Sequence, residues 1–346
     1  MIPSPEPGEG QGGGDLSAAQ TTPRINATDF LAAQRANRRN TVWLILILLL
    51  LGGGFGYVLG WAGQTYVTNR FEYVDLLAFS MPGAIAALAF LSIGVGATAV
   101  TFAAGDKVVL ALNNARVVSQ DEEPLLHNVV EEMAIAAGLP KPRVAVIDSP
   151  AMNAFATGIY PENAAIGVTR GLLQNLSRDE LQGVVAHEMG HILNWDTRYM
   201  TAVGILVGLI ALVSDGILRA RWYGGRSSGS RRDKSGGGGA IVLIVVLFFA
   251  ILAPIAGRLV QFAVSRQREY LADATSVQLT RNPLGLIGAL QKLGGQDKAP
   301  ELGNRATQHL FIVNPIRGFG ASASALMATH PDIESRIDRL RNLGRV

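Results

Sequence analysis

The sequence predicts a mainly α-helical, multi-pass membrane protein with an α+β domain that carries a small β-sheet. The chain contains four long apolar stretches, and only 16% of its 346 residues are charged, whereas soluble domains carry about 25%. A positive mean hydropathy of +0.26 agrees with this class. The segments between the apolar stretches are long enough to form one further domain with its own core.

Composition excludes several classes of function. With 30 Lys and Arg against 27 Asp and Glu, the formal net charge is only +3, so we expect no nucleic-acid partner. The chain has no cysteine, which excludes a disulfide framework, a thiol nucleophile and cysteine-ligated zinc. Any bound metal must therefore be held by carboxylates and by some of the five histidines.

The first part of the chain predicts a tail followed by two membrane helices. Residues 1–40 begin with a Pro-, Gly-, Ser- and Gln-rich run and predict a disordered N-terminal tail. Residues 41–106 contain two stretches without a charged side chain, 41–69 and 76–105, which predict two transmembrane helices. A cleavable signal peptide is not expected, because the first stretch is too long and no small-residue cleavage site follows it.

The soluble domain is predicted to be split in sequence. Its first half is 107–198 and its second half is 258–346, with a transmembrane hairpin and a Gly/Arg-rich loop at 199–257 between them. The two apolar stretches of the hairpin are 199–218 and 236–257, and the alternative that they are buried helices of a soluble core stays open.

Charge near the ends of the spans indicates the orientation only weakly. Arg35, Arg38 and Arg39 lie just before the first apolar stretch, and Arg70 follows it. By the positive-inside rule this places the N-terminus in the cytoplasm. The basic loop at 219–239 would lie on the opposite side and is the main evidence against this orientation.

The motif with the clearest chemistry is His187-Glu188-Met189-Gly190-His191. Ser177 and Glu180 form a capping-box signature, which predicts that a helix begins there and carries the motif. Histidines four residues apart project from one face of a helix, so both imidazoles can reach one zinc ion. Glu188 then lies where it can act on a water molecule beside that metal.

A catalytic zinc site needs a third protein ligand. Glu269 and Asp273 are also four residues apart, and Glu269 could ligate the metal while Asp273 accepts the ring N–H of a ligand histidine. The open alternative is an exposed charged helix in which Glu269 pairs with Arg266 or Arg268. If the helix from Ser177 continues unbroken into the third apolar stretch, the membrane hairpin brings the two ligand helices side by side.

Two alternating runs upstream predict strands. They are 143–149 and 164–169, separated by Asn153-Ala154-Phe155 and by a turn at 160–163. A sheet edge beside the metal helix could pair with an extended peptide through main-chain hydrogen bonds. An ordinary sheet without a ligand is the alternative that these runs leave open.

Four short segments, AHEMGH, SRQREYLAD, MNAFATG and THP, together resemble the HtpX-like membrane zinc endopeptidases, a gluzincin family related to the Ste-type CAAX prenyl proteases. The likeness runs from about residue 100 to the C-terminus. It implies a zincin-like α+β metalloprotease domain with one Zn²⁺ per chain. By this resemblance His187, His191 and Glu269 are the zinc ligands, Glu188 is the catalytic base, and Asp273 supports a ligand.

The resemblance also implies residues that contact the substrate. Asn153, with Ala154 and Phe155, matches the substrate-binding edge segment of the family. His330, in Thr329-His330-Pro331, matches a position that approaches the metal. It could donate to the developing oxyanion as a catalytic residue, or occupy the open metal position as an inhibitory ligand.

The function implied by the resemblance is that of a zinc-dependent endopeptidase of the cytoplasmic (inner) membrane, with its protease domain facing the cytoplasm. It would hydrolyse misfolded or damaged membrane proteins during stress. Expected partners are polypeptide substrates and the lipid bilayer, and a homo-oligomer remains open. The alternatives are a CAAX-type prenyl-protein protease and an inactive zinc-binding scaffold, although a structural site has no need of Glu188. A transporter is disfavoured, because Asp215 is the one ionisable residue in the predicted spans.

Overall fold

The computed structural model describes residues 27–68, 79–206, 248, 266–296, 307, 310–312 and 331–343. Most of the predicted hairpin lies outside these residues: its loop at 219–239, its second stretch at 236–257 except residue 248, and the end of its first stretch after 206. His330 also lies outside them.

Two long helices account for the predicted segment 41–106. They are α1 (Ala27–Thr68) and α2 (Met81–Leu112), and within the described residues each contains a window apolar and long enough to cross a membrane. Only 17% of the α1 window and 6% of the α2 window is buried. Exposure of this extent is opposite to that of a core helix in a soluble protein, and it indicates a lipid-facing surface.

Small residues let α1 and α2 pack closely. A Cβ atom on Gly56 would lie 2.7 Å from the carbonyl oxygen of Ala86, and one on Gly60 would lie 2.3 Å from that of Pro82. These separations are too short for any side chain. The pattern Gly-x-x-x-Gly is the device by which membrane helices bring their backbones together.

Two predicted boundaries are wrong. Helix α1 begins at Ala27, inside the segment 1–40 that was predicted to be a tail, and Gln34 and Asn37 in this part of the helix form hydrogen bonds with the soluble domain. Helix α2 passes residue 106 and ends at Leu112, because its last turns are buried beneath the sheet.

The sheet has four strands in the order β1-β2-β4-β3. The pair β2–β4 is parallel, and β1–β2 and β3–β4 are antiparallel. An antiparallel bridge between Phe155 and Phe311 adds residues 310–312 to the other edge of β3. The predicted strands at 143–149 and 164–169 are confirmed, with slightly shorter bounds. The strands are β1 (Ala115–Val117), β2 (Arg143–Ile147), β3 (Ala154–Thr157) and β4 (Ala165–Thr169).

The sheet lies between two groups of helices. On one face Val144 and Ile166 pack against α3 and α5. On the other face Ala145 and Phe155 pack against the end of α2 and the helical residues 196–206. The sheet therefore lies between α5 and the end of α2. The helices of the domain are α3 (Pro124–Ala137), α4 (Arg170–Asn175), α5 (Arg178–Leu193), α6 (Arg266–Thr280), α7 (Pro283–Gly294) and α8 (Ile333–Leu343).

Helix α5 begins as its sequence predicts. The hydroxyl of Ser177 accepts the backbone N–H of Glu180 at 3.4 Å, and the Glu180 carboxylate accepts the N–H of Ser177 at 2.7 Å. This reciprocal capping box satisfies two N–H groups that otherwise have no partner at a helix start. The Glu180 carboxylate also contacts the ammonium group of Lys292 on α7 at 2.6 Å, so the same residue ties α5 to its neighbour.

The prediction of an unbroken helix from Ser177 into the third apolar stretch is wrong. Helix α5 ends at Leu193, and Trp195 has φ +61°, a left-handed conformation in which a right-handed helix cannot continue. A new helix begins at residue 196. The break turns the chain, so that Asp196 faces back towards the histidines of α5.

Candidate metal centre

Three side chains from two helices converge on one point. His187 and His191 lie on α5, with ring centroids 4.8 Å apart, and Glu269 lies on the first turn of α6. The distance from His187 Nε2 to Glu269 Oε2 is 3.7 Å, and that from His191 Nε2 to Glu269 Oε1 is also 3.7 Å. All three residues are buried, and one ligand atom from each lies within 4.8 Å of the others.

This arrangement fits a divalent cation. Ligands at 2.0–2.1 Å from a tetrahedral zinc ion lie roughly 3.3 Å from one another, close to both measured separations. His187 Nε2 is fully buried and makes no hydrogen bond to any residue that the structure describes, which is costly for a polar atom unless it binds something else. Two imidazoles and a carboxylate also match the donors of catalytic zinc sites, which leave a fourth position for water.

Each histidine is oriented by a buried aspartate. His187 Nδ1 lies 3.0 Å from Asp273 Oδ1, and His191 Nδ1 lies 3.0 Å from Asp196 Oδ2. An Nδ1–H group that donates to a carboxylate leaves the lone pair of Nε2 directed at the metal position. The structure thus brings Asp273 to the predicted place. Asp196 was missed, and its only signal in the sequence is an acidic residue five positions after His191.

Arg336 is a second residue that the sequence analysis missed. It lies on α8, is 0% exposed, and donates twice to Asp273, from Nε at 2.9 Å and from Nη2 at 2.6 Å. Its Nη1 is 3.5 Å from Glu269 Oε2. One signal was available, because Arg336 interrupts the apolar face that Ile337 and Leu340 define on that helix.

Glu188 is buried beside the three candidate ligands. It is 1% exposed, and burial raises the pKa of its carboxyl group to about 7, although the neighbouring His191 and Arg336 oppose the rise. The backbone N–H of Ala156 in β3 donates a hydrogen bond to the same carboxylate. The group that could act as a base is therefore fixed against the edge strand of the sheet.

The two histidines differ in charge. Burial lowers the pKa of His187, so this imidazole is neutral near pH 7, as a metal ligand must be. Burial also acts to lower the pKa of His191, but the hydrogen bond to Asp196 and the charge of Glu269 outweigh it and raise the pKa to about 9. A bound cation would displace that proton, so metal binding should weaken as the pH falls.

The edge of β3 is partly covered by the chain itself. The side-chain oxygen of Asn153 accepts the N–H of Ala154 at 3.0 Å, and the carbonyl of Ala154 accepts the N–H of Ile312 at 3.0 Å. The rings of Phe155 and Phe311 pack with centroids 5.2 Å apart. Residues 310–312 thus occupy the edge that was predicted to be open, and the substrate-binding role of Asn153, Ala154 and Phe155 stays a prediction.

The buried His-His-Glu cluster, with an acidic side chain beside it and two membrane-length helices attached, defines a membrane metalloprotease. Residues 120–344 match peptidase family M48, and the chain belongs to that family. The chain is 45% identical over 244 residues to a protease HtpX homolog of Thermoanaerobacter pseudethanolicus, covering 70% of this chain and 80% of the relative. It is 42% identical over 318 residues to one of Listeria innocua, covering 89% of this chain and 98% of the relative.

Among solved structures, the chain matches the crystal structure of S. mikatae Ste24p at 19% identity with a TM-score of 0.42, covering 80% of this chain and 62% of that one. The resemblance to HtpX-like proteases that four short segments predicted is confirmed by the family match and the two homologs. The individual roles of the site residues remain predictions.

Replacing Glu269 by alanine should lower the bound metal. The change removes one of the three ligands, and we expect a zinc content well below one ion per chain in full-length protein purified in detergent, measured by elemental analysis. The control is Glu162→Ala, which removes an exposed carboxylate from the turn at Pro161–Asn163. If Glu269→Ala keeps the zinc content of the wild type, Glu269 is not a ligand.

The stability of the metal-free protein should depend on the charge of Glu188. Its pKa is about 7 in the folded protein against the ordinary glutamate value of 4.5, so the folded state keeps a proton that the unfolded chain loses between these values. Stability is therefore lost as the pH rises through this window. Glu188→Gln should stabilise chelator-treated protein by about 3 kcal/mol at pH 8 and by much less at pH 4.5. Thermal unfolding at both values measures this; an equal effect at both would contradict it.

Proposed function

We propose that the chain is a zinc-dependent endopeptidase of the cytoplasmic membrane that hydrolyses peptide bonds in misfolded or damaged membrane proteins. The observation that carries the proposal is the convergence of His187, His191 and Glu269, with the buried Glu188 beside them. A metal site with a purely structural role has no use for a buried carboxyl group that is not a ligand. The inactive scaffold is therefore the weaker alternative.

The residues present account for the steps of peptide hydrolysis. A zinc ion held by His187, His191 and Glu269 would supply the Lewis acidity that polarises the scissile carbonyl and acidifies a water molecule. Glu188 accepts the proton of the attacking water and delivers it to the nitrogen of the leaving amine. A pKa near 7 suits both halves of this transfer, because the group must take up and release a proton at the working pH.

The placement of the sheet supports membrane proteins as the substrate class. The end of α2 packs beneath the sheet whose strand β3 touches Glu188, so the reacting centre would lie close to the bilayer surface. Main-chain pairing along β3 would accept an extended peptide of almost any sequence, once residues 310–312 leave the edge that they occupy in this structure. Unfolded segments next to a membrane combine these two properties.

The proposal includes the side of the membrane on which each segment of the chain lies. We place the N-terminus and the two halves of the protease domain, 107–198 and 258–346, in the cytoplasm, with a second membrane hairpin at 199–257. This arrangement agrees with the three arginines before the first apolar stretch. The role of His330, as an oxyanion donor or as an inhibitory ligand, rests on resemblance alone.

The experiment compares zinc-loaded wild type with Glu188→Gln, both as full chains in lipid nanodiscs. The substrates are an unfolded membrane protein, the same protein folded, an unfolded soluble protein and a prenylated peptide. We expect the wild type to cleave the unfolded membrane protein fastest and the variant to cleave none. Preference for the prenylated peptide would favour the CAAX-type alternative, and no cleavage by the zinc-loaded wild type would remove the proposal.

A further inference from the structure

Two polar residues in the N-terminal part of α1 contact the C-terminal end of α5. Gln34 Nε2 donates to the carbonyl of Leu193 at 2.8 Å, and Asn37 Nδ2 donates to the carbonyl of Asn194 at 3.0 Å. The last carbonyls of a helix have no partner within the helix, so these amides satisfy groups that the break after α5 would otherwise leave exposed. The first membrane helix therefore contacts the helix that carries both histidines.

Asn37 also contacts the support of one metal ligand. It is 3% exposed, and its Nδ2 donates to Asp196 Oδ1 at 2.7 Å. The other oxygen of Asp196, Oδ2, lies 3.0 Å from His191 Nδ1. A primary amide has two N–H groups, so Asn37 can bind the Asn194 carbonyl and the Asp196 carboxylate together. Both carboxylate oxygens of the fully buried Asp196 therefore have a partner: Oδ1 accepts from Asn37, and Oδ2 contacts His191.

The remaining polar atom of Asn37 reaches the other ligand helix. Its Oδ1 accepts a hydrogen bond from Arg268 Nη1 at 3.2 Å, and Arg268 directly precedes Glu269 on α6. The guanidinium of Arg268 also lies 5.2 Å from the ring of Tyr199. One buried side chain of α1 therefore touches the orienting partner of His191 and the residue adjacent to Glu269.

We propose that Asn37 is a positioning residue of the metal centre, which orients Asp196 and so the ring of His191, and which keeps α6 beside α5. The first membrane helix is then part of the catalytic unit as well as an anchor. The inference rests on the proposed function, since it requires His191 and Glu269 to be metal ligands. Removing a direct partner of a ligand typically costs 10- to 100-fold in metal affinity, and Asn37 acts one contact further away.

A purely structural role for Asn37 makes a different prediction. In that case its contacts would only attach α1 to the domain, and losing any comparable hydrogen bond of α1 would have the same effect. Gln34 offers the matched comparison, because it lies one turn earlier and donates to a carbonyl of the same helix end, that of Leu193 and not a group of Asp196.

The experiment measures zinc affinity by competition with a chromophoric chelator, and thermal unfolding of the metal-free form, for the full chain in detergent. We expect Asn37→Ala to weaken zinc binding about 5- to 10-fold, and Gln34→Ala to change it less than twofold, with similar unfolding temperatures for the two metal-free variants. In the Asp196→Ala background, Asn37→Ala should have a smaller effect than in the wild type, because the part of its effect that reaches His191 through Asp196 is already lost. If Asn37→Ala does not fold, Asn37→Ser replaces it. The serine hydroxyl is too short to contact Asp196 and Arg268 together, so the same loss of zinc affinity, about 5- to 10-fold, is expected.

The outcomes separate this inference from the proposed function. Zinc affinity of Asn37→Ala within twofold of the wild type, or an equal loss in Gln34→Ala, would overturn the positioning role. If His187→Ala and Glu269→Ala instead bind zinc as tightly as the wild type, the proposed metal centre itself is wrong. If those two variants weaken zinc binding and Asn37→Ala does not, the positioning role of Asn37 is contradicted and the proposed function is not.

Discussion

Glu188→Gln should abolish peptide hydrolysis while leaving zinc in place. We expect kcat/KM to fall by about 10³-fold, within the range that general acid–base catalysis contributes, and the zinc content to remain that of the wild type. The substitution keeps the shape of the side chain and its contact with the N–H of Ala156. It removes the one property that hydrolysis needs from this residue, the ability to take up a proton and release it.

The control for this variant is Glu131→Gln, which makes the same chemical change at an exposed carboxylate paired with Lys141. Its activity should equal that of the wild type. Initial rates on the cleaved membrane-protein substrate, with zinc measured on the same samples, separate lost chemistry from lost metal. Turnover by Glu188→Gln near the wild-type rate, in a preparation free of other proteases, would show that another group acts as the base.

Arg336→Met should destabilise the fold more than any other single change considered above. The guanidinium is fully buried and binds both oxygens of Asp273, which holds the pKa of that carboxyl below its usual value against the opposite effect of burial. Methionine fills much of the volume but leaves the aspartate charge buried without this partner. Breaking a buried pair in this way costs about 3–5 kcal/mol.

Thermal unfolding in detergent at pH 7 measures this loss. The matched control is Arg341→Met on the same helix, where an exposed arginine pairs with Asp338 at 3.2 Å and little change is expected. Arg336→Lys should fall between the two, because lysine keeps the charge but not the two parallel hydrogen bonds. Equal unfolding temperatures for Arg336→Met and Arg341→Met would mean that the buried pair contributes no net stability.

Local patterns predicted the parts of the site that a single helix encodes. The spacing of His187 and His191, and the capping box at Ser177, each depend on residues within one or two turns, so the sequence indicates them directly. Glu269 and Asp273 follow the same four-residue spacing. For this pair the helical pattern alone favoured an exposed charged helix, and only its place beside the predicted membrane hairpin pointed to the metal. The structure places both carboxylates against the histidines.

The parts that could not be predicted depend on contacts between distant segments. No glycine or proline marks the break after α5; instead Trp195 takes a left-handed conformation that its residue type does not favour, so the position of Asp196 was missed. Asn37 and Arg336 reach the site from the first and last described helices, and neither contact produces a periodic pattern of residues in the sequence. The pairing of residues 310–312 with β3 is equally non-local.

The wide separation of these supports along the chain affects how the enzyme is made. Asn37 leaves the ribosome early, whereas Arg336 follows roughly 15 to 60 s later at 5–20 residues per second. During roughly the second half of that interval the nascent polypeptide carries both histidines of the motif, but the guanidinium that neutralises the charge of Asp273 has not yet been synthesised. The hydrolytic pocket is therefore incomplete until residue 336 has been synthesised, and a chain cut short before that residue would never complete it.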